Sequence, residues 1–286
     1  MRILLFHTNG HHVIQSCITK FPGGEIHVRL APTPWVGVIK KIEIFARLNC
    51  SDDVMSLLLA VDAIRNMSEQ PIPTHLTIPY FPYARQDRVC VRGEAFSAKV
   101  MAQLINGLNL ESVIIWDPHS EVVSNLLNKV ITIPQSDLFV HCPELINALQ
   151  QNELILVAPD KGASLKTRTL HQQLQLTTPI IQASKNRDPV TGKIQSIKID
   201  NDVSGKSLLI VDDICDGGST FLNLAEKLKQ AGSKRIFLFI THGIFSQGLA
   251  VFEGLIDRIY CTDSIKPQNA YPAANNLQVI GLYSIH

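Results

Sequence analysis

The sequence predicts an α/β fold of two similar domains, each a mostly parallel sheet flanked by helices. Short apolar segments recur between segments with helical spacing, at 76–80, 113–116, 154–157, 208–211, 236–240 and 258–261, and 278–283 has the pattern of a last strand. Such alternation is typical of α/β proteins with parallel strands. Each half of the chain also has a strand that ends in an acidic turn, at Asp117 and at Asp213. The repetition of elements predicts two domains of the same kind.

Two segments between the predicted strands have the apolar spacing of crossover helices. They cover 98–108 and 221–228, and Gly107 and Gly232 lie where helices commonly stop. We predict the domain boundary in 134–143, which gives domains 1–137 and 138–286. The polar stretch 185–196 contains Asp188-Pro189 and Thr191-Gly192-Lys193, which break helical and strand patterns. It predicts a mobile loop or hairpin flap.

Composition and charge exclude several functional classes. The chain has 286 residues, of which 45% are hydrophobic and 18% charged, enough for two separate cores. Lys and Arg number 26 against 25 Asp and Glu, a formal net charge of +1, so no global field attracts nucleic acid or membranes. Any anion site must be local. We expect neither a nucleic-acid partner nor a membrane partner.

The apolar runs and the cysteines indicate a cytoplasmic protein. Runs such as 207–211 and 235–240 stop well before the ~20 residues of a membrane helix. The first residues lack a signal-peptide cleavage pattern. The six cysteines are widely scattered without a Cys-x-x-Cys pair, which predicts reduced, mostly structural thiols and makes a zinc site unexpected.

The stretch 208–220 has the pattern of a sugar phosphate site. A buried strand ends in Asp212-Asp213, and a turn of small residues opens the next helix. Ligands of parallel sheets gather beyond the carboxyl ends of strands. Carboxylates suit sugar hydroxyls, while backbone N–H groups and a helix N-terminus suit a phosphate. An isolated Asp-Asp would more simply begin a polar turn, with Ser219 or Thr220 capping the helix. The complete strand–turn–helix pattern favours a ribose phosphate site made of Asp212, Asp213, Asp216, Gly217, Gly218, Ser219 and Thr220.

This stretch resembles the loop shared by type I phosphoribosyltransferases and ribose-phosphate pyrophosphokinases. A second segment separates the two families: Tyr83-Ala84-Arg85-Gln86-Asp87-Arg88, followed by Ser97-Ala98-Lys99, resembles the pyrophosphokinase signature. Ordinary salvage transferases have no counterpart. Arg85 and Arg88 can make fork-shaped contacts with a polyphosphate, although an arginine-rich loop is more often a solvated surface.

Three more segments resemble the same family in the same order. Asp117-Pro118-His119 and 158–162 resemble turns whose histidine and aspartate belong to the magnesium–nucleotide site, which implies Mg²⁺ near His119 and Asp160. Lys185-Asn186-Arg187 resembles a flap whose first and third residues are catalytic, which implies that role for Lys185 and Arg187.

The segment 21–26 resembles one that reaches the adenine of ATP on a neighbouring subunit. It implies contacts from Phe21 and Glu25, although Gly23 replaces an aspartate of the family. The resemblance thus implies two phosphoribosyltransferase-like domains, with ATP on the N-terminal side and the sugar loop and flap on the C-terminal side. The implied ATP-binding residues are Phe21, Glu25, Arg85, Gln86, Asp87, Arg88 and His119.

The resemblance implies transfer of a diphosphate from ATP to the C1 hydroxyl of ribose 5-phosphate, in a homo-oligomer built as a dimer or hexamer. Gly217 and Ser219 stand where the family has Thr and Gly, so a substituted acceptor such as ADP-ribose is an alternative. The stretch 92–96 also departs from the family pattern.

A base-salvage phosphoribosyltransferase and a non-catalytic subunit are further alternatives. The first leaves 83–88 unexplained, and retention of Lys185 and Arg187 argues against the second.

Overall fold

The computed structural model describes residues 1–32, 37–160, 162–187, 194–199 and 201–282; of 185–187 and 194–197 it describes the backbone alone. The chain separates into two compact units, Met1–Ile133 and Pro134–His286. Each unit is built around its own sheet and its own apolar core. The predicted flap, 185–196, is only partly described, since 188–193 lie outside the described residues.

The described residues of the first unit form a six-stranded sheet, a separate hairpin and three helices. Its elements are β1 (Arg2–His7), β2 (Gly10–Ile14), β3 (Ser16–Lys20), β4 (Ile26–Leu30), β5 (Ile39–Phe45), α1 (Ser51–Arg65), β6 (Thr74–Ile78), α2 (Ser97–Asn106), β7 (Ser112–Trp116), α3 (Glu121–Leu126) and β8 (Val130–Ile133). The sheet order is β2-β1-β5-β6-β7-β8, in which β5 to β8 are parallel and β1 and β2 antiparallel. Strands β3 and β4 form the hairpin.

The second unit contains a seven-stranded sheet. Its elements are α4 (Gln135–Phe139), α5 (Pro143–Gln150), β9 (Ile155–Ala158), α6 (Ala163–Gln173), β10 (Ile181–Arg187), β11 (Ile194–Ile199), β12 (Ser207–Cys215), α7 (Ser219–Gln230), β13 (Arg235–Gly243), β14 (Arg258–Thr262) and β15 (Leu277–Ile280). The order is β11-β10-β9-β12-β13-β14-β15, and among these described strands only β11 runs antiparallel to its neighbour.

The parallel strands follow from uninterrupted apolar runs in the sequence. In β12 the first five residues are buried, because helices cover both faces of such a sheet. Its core neighbours include Leu238 and Ile240 on β13 and Leu224 on α7. The mostly parallel α/β architecture predicted from the sequence is confirmed. Among the described residues, no helix has the length and apolarity needed to cross a membrane.

One predicted strand end was wrong. The sequence places Asp212 and Asp213 just after a strand, whereas β12 continues through them to Cys215. The cause is the long neighbouring strand: β13 pairs with β12 from Arg235 as far as Gly243, which lies opposite Cys215. The two aspartates therefore lie inside the paired strand and have a backbone fixed by the sheet.

Both ends of the polar stretch 185–196 lie in paired strands. Strand β10 pairs antiparallel with β11, with Lys185 opposite Ile197 and Arg187 opposite Ile194. Residues 188–193 lie outside the described residues. The predicted flap thus has a two-stranded base in the same sheet as β9 and β12.

Candidate active site

In the first unit, five predicted site residues line one cavity. It has a volume of about 610 Å³ and is lined by Arg85, Gln86, Asp87, Arg88, Cys90, Glu94, Ala95, Ser97 and His119. These residues come from the segment between β6 and α2, from the first residue of α2 and from the turn after β7. Strands β6 and β7 are parallel neighbours, so both segments leave the same edge of the sheet. The topology thus brings together two motifs that are well separated along the chain.

Backbone bonds hold the segment after β6 in a compact loop. Gln86 N–H donates to the Tyr83 carbonyl at 2.9 Å, and Ala98 N–H donates to the Gln86 carbonyl at 3.2 Å. The Glu94 carboxylate accepts from the N–H groups of Cys90 and Val91, at 2.9 and 3.1 Å. Glu94 therefore holds the loop closed, a role that the sequence does not suggest.

A side-chain hydrogen bond joins this loop to the turn after β7. The Ser120 hydroxyl donates to Asp87 at 2.7 Å. In the same turn Asp117 is 2% exposed and has φ of 38°, and its N–H donates to the Ile133 carbonyl at 2.8 Å. The turn is thus anchored at its first residue, which fixes where the exposed His119 side chain stands beside the two arginines.

Phe21 and Glu25 lie apart from this cavity in the described structure. They close the β3–β4 hairpin, where Phe21 N–H donates to the Glu25 carbonyl at 2.8 Å. The Phe21 ring is 51% exposed and lies 5.8 Å from the His27 ring. A Cβ on Gly23 would meet no described atom within 4 Å, so an aspartate would fit there. The lining residues of the cavity do not include Phe21 or Glu25, and their predicted adenine contact stays a prediction.

In the second unit, the segment from Asp212 to Thr220 forms a strand end, a tight turn and a helix start. Gly218 begins α7 with φ of 79°, a conformation that favours glycine. A Cβ on Gly218 would stand 2.5 Å from Cζ of the buried Phe252 ring, so a larger residue would need this ring to move. The turn can therefore present the N-terminus of α7, with its outward N–H groups and positive dipole end, to an anion.

A second loop is bound to this turn through the backbone. Ile244 and Phe245 N–H groups donate to the Cys215 carbonyl, at 2.9 and 3.1 Å, and Ser246 N–H donates to the Asp216 carbonyl at 3.2 Å. The loop comes directly after β13. These bonds continue the strand pairing beyond the sheet, so the loop 244–248 has a defined place beside the predicted phosphate turn.

Two side chains that the sequence analysis missed hold the predicted aspartates. Lys166 on α6 donates to Asp213 at 3.1 Å, and their side chains are 27% and 10% exposed. The buried Gln135 on α4 donates to the Asp212 carbonyl at 2.7 Å and to the Thr241 hydroxyl at 3.2 Å. Only contacts across the fold identify them, since Gln135 and Asp212 are 77 residues apart. They fix the carboxyl end of β12, where the aspartates lie.

Asp160, one of the two predicted metal residues, has the chemistry to bind a magnesium ion that arrives with a nucleotide. Among the described residues, no group of three or more His, Cys, Asp or Glu side chains is arranged to hold a metal. Mg²⁺ is commonly bound by one or two carboxylates together with substrate phosphates. Asp160, whose Oδ1 accepts the Ala163 N–H at 3.0 Å at the start of α6, supplies a suitable carboxylate. The side chains of Lys185 and Arg187 lie outside the described part, although their backbone is in β10.

The cysteine thiols of the second unit have low reactivity. Burial raises the pKa of the Cys142, Cys215 and Cys261 thiols to about 12. These thiols are therefore protonated and poor nucleophiles at neutral pH. Cys17, Cys50 and Cys90 are exposed, and all six cysteines are unpaired. Cys215 lies between two site aspartates but has a packing role in the core.

Comparison with known proteins assigns both halves of the chain. Residues 5–108 match the model of the N-terminal domain of ribose phosphate pyrophosphokinase, and residues 142–261 match that of the phosphoribosyl transferase domain. The ribose-phosphate pyrophosphokinase of Agrobacterium fabrum is 31% identical over 235 residues, covering 80% of this chain and 73% of that protein. The protein of the same name from Mycoplasma pneumoniae is 30% identical over 274 residues, covering 92% and 80%.

A solved structure supports the fold over nearly the whole chain. The crystal structure of phosphoribosylpyrophosphate synthetase from Mycobacterium smegmatis matches with a TM-score of 0.76 and 21% identity. The match covers 96% of this chain and 88% of that one. Together with the two family models, it confirms the prediction of two phosphoribosyltransferase-like α/β domains.

Proposed function

The chain belongs to the ribose-phosphate pyrophosphokinase family, and on that premise we propose that it transfers the β,γ-diphosphate of ATP to ribose 5-phosphate. The observation that carries the proposal is the cavity that joins Arg85, Arg88 and His119 in the first unit. Guanidinium groups suit a polyphosphate, and a base-salvage transferase binds no ATP and so needs no second phosphate site outside its phosphoribosyltransferase domain. The predicted sugar phosphate turn in the second unit supplies the acceptor site.

The reaction is a displacement at phosphorus. The C1 hydroxyl oxygen of the sugar forms a bond to the β-phosphorus of ATP, and the bond from that phosphorus to the oxygen retained by AMP breaks. The hydroxyl proton leaves to solvent. Such transfers depend on positioning and charge neutralisation more than on covalent catalysis. The enzyme therefore needs two anion sites and a source of positive charge near the transferred group.

The residues of this chain divide those tasks. Arg85 and Arg88 bind the ATP phosphates, while the turn at 217–220 and the N-terminus of α7 bind the sugar 5-phosphate. Asp212 and Asp213 accept hydrogen bonds from the ribose hydroxyls, and Lys166 holds Asp213 in place at 3.1 Å. When bound, Mg²⁺ would supply positive charge to the phosphates, with His119 and Asp160 as its protein contacts.

Lys185 and Arg187 are the proposed catalytic residues. Both residues lie on β10, where their backbone pairs with β11. A lysine and an arginine on a closing segment neutralise charge on the diphosphate during transfer, and closure excludes water that would hydrolyse ATP. The turn 21–25, with its exposed Phe21 ring, would complete the adenine contact in a neighbouring copy of a homo-oligomer.

The direct test is product formation by the purified protein. With ATP, Mg²⁺ and ribose 5-phosphate, we expect equal amounts of AMP and phosphoribosyl diphosphate, measured by ³¹P NMR and ion-exchange chromatography. Parallel reactions with ADP-ribose as acceptor, and with phosphoribosyl diphosphate plus each nucleobase, cover the alternatives. Faster turnover of ADP-ribose, nucleotide synthesis from a base, or the lack of AMP in all reactions would contradict the proposal.

Alkylation of Cys90 tests the position of ATP separately from turnover. Cys90 lines the cavity with Arg85 and Arg88 and is exposed, so bound ATP should shield it from iodoacetamide. We expect saturating Mg–ATP to slow Cys90 labelling several-fold, as measured by peptide mass spectrometry. Cys50 is exposed at the start of α1 and serves as the internal control, with an unchanged rate. Equal Cys90 labelling with and without ATP would place the nucleotide elsewhere.

A further inference from the structure

The turn at 217–220 has a neighbour from another part of the chain, the loop 244–248. Gly217 carries no side chain, and a Cβ built there would meet Gln247 Cγ at 3.6 Å and Ser246 Oγ at 3.8 Å. Both distances are ordinary van der Waals contacts, and both partners are exposed. The Gln247 side chain thus lies directly in front of the position where the turn lacks a side chain.

The position of Gln247 follows from its backbone. The preceding residue, Ser246, donates its N–H to the Asp216 carbonyl at 3.2 Å, and the following residue, Gly248, donates its N–H to the Phe245 carbonyl at 2.9 Å. Phe245 is buried and packs edge-on against Phe252, the ring that lies over Gly218. The loop that carries Gln247 and the turn that contains Gly217 are therefore both held against the same two rings, Phe245 and Phe252.

We infer that Gln247 is a specificity-determining residue that donates a hydrogen bond to the 5-phosphate of the acceptor from the place left open at Gly217. The inference rests on the proposed function, because it takes the turn at 217–220 as the acceptor phosphate site. A primary amide has two N–H donors, and a hydrogen bond from a neutral donor to a phosphate oxygen is stronger than one between neutral groups. The amide is bonded directly to Cγ, the Gln247 atom that a Cβ at Gly217 would contact.

The same side chain limits what the acceptor can carry on its phosphate. With the phosphate in this place, Gln247 and Ser246 stand beside it and reduce the space for a substituent attached to it. The site therefore favours a terminal phosphate over a diester such as the one in ADP-ribose. Removing the Gln247 side chain should weaken binding of ribose 5-phosphate and at the same time reduce this preference.

The experiment measures ribose 5-phosphate binding and turnover in Gln247→Ala. Calorimetry with ribose 5-phosphate alone should give a Kd raised about tenfold or more, the effect of losing a hydrogen bond to a charged group. The KM for this substrate should rise similarly, while the KM for ATP stays unchanged. The rate with ADP-ribose, relative to ribose 5-phosphate, should increase. Gln151→Ala is the matched control, since Gln151 is an exposed glutamine in the turn after α5, and should alter none of these values.

A second variant supplies a hydrogen-bond donor from residue 217 in place of the one lost at residue 247. Gly217 is not among the positive-φ glycines, so a threonine can take its backbone conformation without strain. In Gly217→Thr/Gln247→Ala the hydroxyl of the introduced threonine fills the place that the shortened residue 247 has vacated, and most of the lost affinity should return. A double variant as weak as Gln247→Ala would count against the inference.

The outcomes separate the inference from the proposed function. An unchanged Kd in an active Gln247→Ala enzyme overturns the inference alone, and the same holds if Ser246→Ala weakens binding while Gln247→Ala does not. If the wild-type protein forms no phosphoribosyl diphosphate but binds ribose 5-phosphate through Gln247, the proposed function fails and the inference stands. If the wild-type protein neither binds nor converts ribose 5-phosphate, both fail.

Discussion

Replacement of Lys185 by alanine is expected to lower kcat by about 10²–10³-fold, the effect of removing one preorganised group that stabilises transition-state charge. Lys185 stands on β10 at the base of the hairpin, and the proposed mechanism uses its ammonium group during transfer of the diphosphate. ATP binding depends on the cavity of the first unit, so the KM for ATP should change little. Steady-state kinetics with both substrates varied measures the two quantities together.

The control for this variant is another lysine of the same hairpin. Lys198 lies on β11, its side chain is exposed, and its backbone pairs with Ser184. Lys198→Ala should keep near-normal turnover. Near-normal turnover in Lys185→Ala would reject its catalytic role. A raised KM for ATP with an unchanged kcat would instead assign Lys185 to the ground-state complex, because the variant would then have lost binding that the ground state and the transition state share.

Apolar patterning was sufficient to predict the parallel strands β6, β7, β9 and β12 to β15, whereas the parallel strands β5, β8 and β10 were not predicted. Strands such as β7, β12 and β13 are buried on both faces, so their sequences are continuous apolar runs. The hairpin β3–β4 was not predicted as strands, because all residues of Ser16–Lys20 and Ile26–Leu30 are exposed or half-buried and no apolar run marks them. The end of β12 was misplaced for a related reason, since its last residues are fixed by pairing with β13.

The candidate site was predictable where its residues are consecutive and not where they meet through the fold. The motif at 83–88 and the turn at His119 were found in the sequence, and the structure brings them to one cavity. Lys166 and Gln135 were missed, because a lysine or glutamine on a short helix has no local feature that distinguishes it. Their contacts with the aspartates arise only when β12 is placed beside α6 and α4.

Asp213→Asn is expected to lower kcat/KM for ribose 5-phosphate by about 10²-fold, with a smaller effect on the KM for ATP. The substitution removes a charged acceptor of the ribose hydroxyls and leaves the Lys166 ammonium facing an amide. Hydrogen bonds to charged groups contribute about 1.5–3 kcal/mol each, and an unpaired, partly buried charge adds to the loss. Asp213 is only 10% exposed and its Oδ2 lies 3.1 Å from Lys166 Nζ, so solvent screens this ion pair only partly.

A double-variant cycle separates the contact with the substrate from the contact with Lys166. Lys166→Met keeps the length of the side chain and removes its charge, so Asp213 should lose its anchor and the KM for ribose 5-phosphate should rise moderately. In Asp213→Asn/Lys166→Met the effects should be less than additive, because both variants break the same ion pair. The exposed pair Lys129–Glu111, at 3.5 Å, is the control, and Glu111→Gln should leave kinetics and thermal unfolding unchanged. Fully additive effects would show that Lys166 acts on the substrate independently of Asp213, and the proposed holding role would be wrong.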